Sequence, residues 1–353
     1  MSIVFAIILF SFLIFVHEFG HFITAKLSGV RVNEFSMFMG PAIWKKQKGE
    51  TLYAIRCIPI GGYCAMEGES DDSEDPRSFG KAAWWKRLII LVAGSAMNFI
   101  AALLIFAVIY MPMETIAKPV ITEFTDCCTF HNEQGLQLGD EILSIDGEKV
   151  YINNDISLLL GLNTTGVHDL QIRRGGEKIV FNDLSMAHTC TDENGKEYIH
   201  YGIAFGQAEK ANLFDKMGFV WNLTIDNVRN TRLSLQMLFT GQAKVSEMTG
   251  VIGIVDMMSD VADASPTFMD ALLNMLNFGG FIAVNLAVMN LLPIPALDGG
   301  RVFSLLISTG YEKITRKKLN PKIEGYVHGV GMVLLLILMA VIMFKDIFTI
   351  FRG

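Results

Sequence analysis

Two histidines and a glutamate stand where a membrane-crossing helix should end, in Val16-His17-Glu18-Phe19-Gly20-His21. From Ile3 to Val16 every residue except Ser11 is apolar, and with Phe22, Ile23 and Ala25 the run is long enough to cross a bilayer as a helix. His17 and His21 are spaced i, i+4, so both rings leave one helix face and can grip one metal ion. Glu18 stands beside them, placed to take a proton from water. The plain alternative is a pair of buried helix histidines. The setting weighs against it, because an ionisable group at mid-bilayer costs at least ~2.5 kcal/mol unless it is paired or ligated.

A metal grip needs a third ligand, and Asn290-Leu291-Leu292-Pro293-Ile294-Pro295-Ala296-Leu297-Asp298-Gly299-Gly300 supplies one. Two prolines forbid an ordinary helix there, and irregular backbone at membrane depth is tolerated only where it faces protein or a wet cavity. Asp298 is a carboxylate in an apolar segment, and Gly299 and Gly300 allow close backbone approach. Two histidines and one carboxylate leave the fourth position of Zn2+ to water, the arrangement of a catalytic rather than a structural site. The competing reading is the broken helix of a transporter, where an aspartate binds a cation or a proton.

The chain has 353 residues, 51% of them hydrophobic, and its mean hydropathy is positive. It reads as an integral membrane protein. The first span lacks the basic n-region and small-residue cleavage site of a signal peptide and is expected to be retained. A net charge of -7 without a basic tract gives no reason to expect nucleic acid as a partner. The five cysteines fit no C-x-x-C metal pattern. Cys57 and Cys64 share one loop; for Cys127, Cys128 and Cys190 a single bridge from Cys190 and free thiols both stay open.

Residues 26–86 form a polar connection. Residues 43–47, a Lys48-Gly49 turn and residues 51–57 suggest a β-hairpin, which residues 58–63 should break; the acidic run 67–75 reads as a solvated loop. Trp84, Trp85, Lys86 and Arg87 form an interfacial belt before a second span at 88–111. Inside it Ala93, Gly94, Ser95, Ala96 and Asn98 read as a helix-packing face. Residues 115–207 have the short strands and Asp146-Gly147 and Gly175-Gly176 turns of a small β-rich domain, with His131, His168, His188 and His200 on its surface. An amphipathic helix over 213–241 follows, then an irregular, Met-rich stretch at 247–266. A third hydrophobic region, 272–307, is interrupted, and a fourth span runs over 327–344. Basic residues crowd the first and third connections, which places those loops in the cytoplasm and the β-rich domain outside it.

These motifs together resemble the site-2 protease family of intramembrane zinc metalloproteases, in its bacterial regulator of sigma-E protease branch. His17-Glu18-Phe19-Gly20-His21 matches H-E-x-G-H, and residues 290–300 match N-x-x-P-x-P-x-L-D-G-G. Tyr53-Ala54-Ile55-Arg56-Cys57-Ile58-Pro59-Ile60-Gly61-Gly62-Tyr63 with Met66-Glu67-Gly68-Glu69 resembles the family's loop between the first two spans. Gly135-Leu136-Gln137-Leu138-Gly139-Asp140-Glu141-Ile142-Leu143-Ser144-Ile145-Asp146-Gly147 resembles the core of a PDZ domain. Two departures stand out: Phe38 where the family often has glycine, and Ser95 in place of a common proline.

The resemblance implies a polytopic α-helical membrane protein of four transmembrane helices, with a membrane-re-entrant β-hairpin at about 31–65 and one α+β PDZ domain. Residues 1–114 and 271–353 would be the two halves of the protease core, 115–208 the PDZ domain and 209–270 an amphipathic helix and linker. His17, His21 and Asp298 would hold Zn2+, Glu18 would be the catalytic base, and Asn285 and Asn290 would hold the substrate backbone. Expected substrates are single-span membrane proteins such as anti-sigma factors after a prior cut, and remnant signal peptides. The expected location is the bacterial inner membrane, amid lipid, with the site towards the cytoplasm and the PDZ domain outside it. A transporter, or a silent scaffold binding partners through the PDZ domain, are the other classes.

Overall fold

The computed structural model describes residues 2–69, 73–124, 135–163, 165–186, 188–191, 197–241, 250–316 and 321–352. Cys127, Cys128 and His131 lie outside the described residues, and the choice between a bridge from Cys190 and free thiols lies there with them. The chain packs as two compact units: Met1–Phe106 with Asn230–Gly353, and Ala107–Arg229.

The first unit begins with α1 (Ser2–Ser28). It stops because Gly29 takes φ +80°, a backbone conformation that favours glycine. The Gly29 amide then donates to Lys26 O (3.1 Å) and the Val30 amide to Ala25 O (2.9 Å), which satisfies two of the helix's last carbonyls. Val30 and Ala25 enter the same buried cluster as Phe35, Met66, Ile90 and Leu305, so the stop also fixes where the next strand leaves.

β1 (Val32–Lys48) and β2 (Thr51–Met66) pair antiparallel. The ribbon is folded on itself: Glu34 to Met37 have partners in Leu52 to Ile55 on one side and in Gly62 to Ala65 on the other, while Trp44 to Lys48 pair with Thr51 to Ile55. Arg56 ties the layers, donating to Ser36 Oγ (2.9 Å), Gly40 O (2.7 Å) and Glu34 Oε1 (2.6 Å). The break expected at 58–63 does not occur. β2 runs on to Met66, with Gly61 at φ +69° absorbing the bend.

α2 (Trp84–Tyr110) takes in the aromatic-basic belt at its start. It meets α1 backbone to backbone at Gly20, where an added Cβ would lie 2.5 Å from Ala93 O.

In the second unit β3 (Thr115–Phe124), β4 (Glu141–Ile145), β5 (Glu148–Lys149), β6 (Val167–Arg174), β7 (Glu177–Ser185) and β10 (Ile203–Lys210) form one six-stranded sheet. Its order is β10-β3-β4-β6-β7, with β5 beside β4; β8 (His188–Thr191) and β9 (Glu197–His200) pair separately. The helix α3 (Asp155–Leu162) packs Ile156, Leu159 and Leu160 into the core with Ile142, Ile145, Leu170 and Ile172. The expectation that His168 is a surface residue is wrong. Its side chain is fully buried, with Nδ1 2.8 Å from Asp146 Oδ2 and Nε2 3.4 Å from Tyr201 Oη, because β6 turns it towards the β4–β5 turn. α4 (Leu213–Phe239) is the expected helix. Phe214, Met217 and Trp221 are exposed along it, whereas Arg229 is buried between Asp155 and Asp226.

Back in the first unit, α5 (Val251–Asp263) is a helix where an irregular stretch is expected. Val251, Ile254, Val255, Met258 and Ala262 recur at helical spacing, and Met258 is fully buried. α6 (Phe268–Asn290) starts on a Thr267 cap that accepts from the Asp270 amide. It ends as expected before Pro293 and Pro295, α7 (Asp298–Thr315) begins at the aspartate itself, and α8 (Pro321–Arg352) closes the chain. Among the described residues, four helical stretches are long and apolar enough to cross a membrane: Ile3–Ser28, Trp84–Tyr110, Phe268–Asn290 and Gly325–Asp346.

Candidate metal centre

Three elements converge in the first unit. α1 carries His17 and His21 on one face, the turn between α6 and α7 delivers Asp298, and α2 backs both histidines. Asp298 is placed by its glycines: a Cβ on Gly299 would sit 2.3 Å from the Leu291 and Leu292 carbonyl oxygens, and one on Gly300 2.3 Å from Ile294 O. Only glycine lets the start of α7 fold onto the proline turn this closely.

Asp298 Oδ2 lies 3.1 Å from His17 Nε2 and 3.1 Å from His21 Nε2, and the two Nε2 atoms are 3.3 Å apart. His21 Nδ1 donates to the Ile90 carbonyl at 2.8 Å, which leaves Nε2 as a bare lone pair facing the other two ligand atoms. Mutually facing acceptors repel, and a proton can relieve only one pair of them. A divalent cation relieves all three. A tetrahedral Zn2+ with ligands at about 2.0–2.1 Å separates them by about 3.3 Å, so the triangle fits this ion. His17, His21 and Asp298 are the one such group among the described residues.

Glu18 lines the same cavity of about 370 Å³, together with Gly62 to Met66 of β2, Ala296 and Arg301. Gly62 admits it, since a Cβ there would come within 3.2 Å of Glu18 Cγ. Arg301 pairs with Glu69 across the cavity wall. Asn285 and Asn290 are not among the residues lining the cavity; Asn285 Oδ1 accepts from Thr231 Oγ1 at 2.9 Å, and Asn290 ends α6 half-buried.

Sequence reasoning missed the part α2 plays. Gly94, read as a packing residue, lies against the imidazoles: an added Cβ would be 2.4 Å from His21 Nε2 and 2.7 Å from His17 Cε1. Asn98 lies 3.3 Å from His17 Nδ1. The available signal was a lone carboxamide four residues from a glycine in an apolar span.

The model of peptidase family M50 matches residues 5–338. This chain belongs to peptidase family M50. As an M50 protein it is a zinc metallopeptidase of the site-2 protease type, in a family of membrane proteases. It is 35% identical over 348 residues, 98% of each chain, to a protein named as a candidate zinc metalloprotease in Clostridium perfringens. It is 28% identical over 427 residues, 98% of each chain, to the regulator of sigma-W protease RasP of Bacillus subtilis. A zinc metalloprotease RasP of Bacillus licheniformis is 27% identical, again over 98% of each chain.

Proposed function

We propose that this M50 peptidase cleaves single-span membrane proteins at the level of the bilayer, with His17, His21 and Asp298 holding Zn2+ and Glu18 acting as catalytic base. The observation that carries the reading is the triangle of ligand atoms, drawn from α1 and α7 across 277 residues of sequence, with Glu18 in the same cavity. Zn2+, when bound, supplies a Lewis acid that polarises the scissile carbonyl and brings the pKa of water towards ~7. Glu18 takes the proton of the attacking water and returns it to the leaving amine.

The cavity is walled by a strand, which suits this chemistry. A helical peptide bond is shielded by its own turn, so a membrane-spanning substrate must unwind, and a strand supplies partners for the backbone groups that unwinding frees. In this reading the β1–β2 ribbon is re-entrant. Asn290 would hold the substrate backbone at the end of α6, and Asn285 would exchange its bond from Thr231 for one from substrate. The sheet and α3 of the second unit form an extracytoplasmic PDZ domain that filters substrates by ectodomain size or binds a newly made C-terminus. The substrate class is the anti-sigma factor after a prior cut, with remnant signal peptides as a second group; the name of the B. subtilis relative supports the first.

Co-expression of a membrane-spanning test substrate with wild type and with Glu18→Gln, with zinc measured on both purified proteins, tests the reading. One zinc per chain in both and cleavage by wild type alone is the expected result. Equal cleavage by the variant would remove Glu18 from the mechanism.

A further inference from the structure

We infer that Asn98 is a positioning residue of the metal centre: its side-chain oxygen accepts a hydrogen bond from His17 Nδ1–H and thereby presents His17 Nε2 to the ion as a lone pair. The inference rests on the zinc reading above and adds to it what orients the first histidine.

Asn98 is 1% exposed in the middle of α2, and one of its two polar atoms, Nδ2, stands 3.3 Å from His17 Nδ1 while the other, Oδ1, has no hydrogen-bond partner among the described residues. A carboxamide has the same outline when turned by half about its last bond, so the histidine it faces decides which atom points where. Were Nδ2 to donate to Nδ1, the ring proton of a neutral His17 would sit on Nε2, aimed at Asp298 and His21. Nothing could then be ligated there. The turned orientation brings the partnerless oxygen onto Nδ1–H and frees Nε2.

His21 gives the precedent within the same site. Its Nδ1 donates to the Ile90 carbonyl, so its tautomer is set by α2 as well. Ile90, Gly94 and Asn98 are spaced i, i+4, i+8 and share one face of α2. One end of that face orients His21, the glycine makes room for both rings, and the other end orients His17. Oriented imidazoles are stronger and more selective ligands, and loss of such a partner ordinarily costs 10–100-fold in metal affinity.

The test is Zn2+ affinity by chelator competition on the full chain in detergent, for wild type, Asn98→Leu, Asn98→Asp and Asp298→Ala. Asn98→Leu, close to the native shape but without an acceptor, is expected to bind about 10- to 100-fold more weakly. Asn98→Asp, which can only accept, is expected to bind at least as tightly as wild type. A packing role predicts the opposite order, because leucine suits an apolar helix face and a buried carboxylate does not; wild-type affinity in Asn98→Leu, or weaker binding by Asn98→Asp than by Asn98→Leu, overturns the inference. Asn98→Ala, which adds no bulk, carries the comparison if the leucine form does not purify. If Asp298→Ala keeps wild-type zinc, the metal centre itself is misplaced and this inference falls with it; loss of zinc in that variant alone tells against Asn98 only.

Discussion

Gly94 shows how little space α2 leaves beside the imidazoles of His17 and His21. A single methyl there would stand within 2.8 Å of both imidazoles, in positions that no side chain shift of α2 can relieve because the methyl is fixed to the backbone. Gly94→Ala is therefore expected to lower zinc affinity at least tenfold while the four apolar helices still insert, checked by zinc content and chelator competition. Wild-type zinc in this variant would mean that α1 and α2 can part without consequence. Ala296 poses a backbone problem instead. Two residues before Asp298 it holds φ +78°, the left-handed region, which costs a residue with a Cβ about 1 kcal/mol. Ala296→Gly is expected to stabilise the protein by ~1 kcal/mol in thermal unfolding, and Ala296→Val to destabilise it. Phe38, at φ +68°, carries the same cost.

Among the elements, the β1–β2 ribbon depends on one side chain. Arg56 donates to three acceptors within residues 34–40 of β1, and its fork geometry has no equivalent in lysine. Arg56→Lys should speed amide exchange across residues 34–40 relative to α2, measured by hydrogen exchange; unchanged protection would show that strand pairing alone holds the ribbon. In the second unit Asp140, fully buried, is held by a two-toothed bond from Arg174 at 2.7 Å and 2.7 Å. Arg174→Met leaves that carboxylate only the Gln137 amide, 2.8 Å from Oδ2, and should destabilise the unit by about 2 kcal/mol, less than a fully buried pair would because the guanidinium is partly exposed. Asp146 adds a pH dependence. Burial alone would raise its pKa, but bonds from the Asp169 amide, His168 and Asn163 outweigh this and hold it below the ordinary 3.8. A carboxylate with a depressed folded pKa contributes stability that is present above its unfolded value and is lost as pH falls through the folded one. The β4–β6 region should therefore loosen below about pH 4, and Asp146→Asn should flatten that dependence in limited proteolysis against pH.

For the whole molecule, an ion held by His17, His21 and Asp298 would close a loop of 277 residues between α1 and α7. Ligand binding to the folded state alone stabilises by mass action, about 4 kcal/mol when free ligand exceeds Kd a thousandfold. Chelation should thus lower the unfolding temperature of the first unit and speed exchange at the end of α1 and the start of α7, while β3 to β7 keep their protection. Equal loosening of both units would count against a metal centre confined to the first. The apolar residues left outward, among them Ile3, Ile7 and Phe12 on α1 and Leu334, Ile337 and Val341 on α8, suit a hydrocarbon surround rather than water.

Much of this was legible in order along the chain. Hydrophobic runs set the four long helices, because crossing a bilayer demands length and apolarity that local composition declares. The i, i+4 histidines declared a shared face, and two prolines followed by Asp298-Gly299-Gly300 declared a break with a carboxylate in it. Period-2 runs and Gly turns declared the β-rich unit. What local pattern could not settle was which small residues were packing and which were chemistry. Gly94 and Asn98 have the composition of any helix-packing face, and only the close approach of α1 and α2 at Gly20 puts them against the imidazoles. His168 looked like a surface residue until β6 paired with β4, and Ile58 to Tyr63 looked like a strand break until Met39, Met37 and Ser36 of β1 paired with Ile58, Gly62 and Tyr63. In each case the deciding contact joins residues far apart in sequence, and a one-dimensional pattern holds no record of distance across the fold.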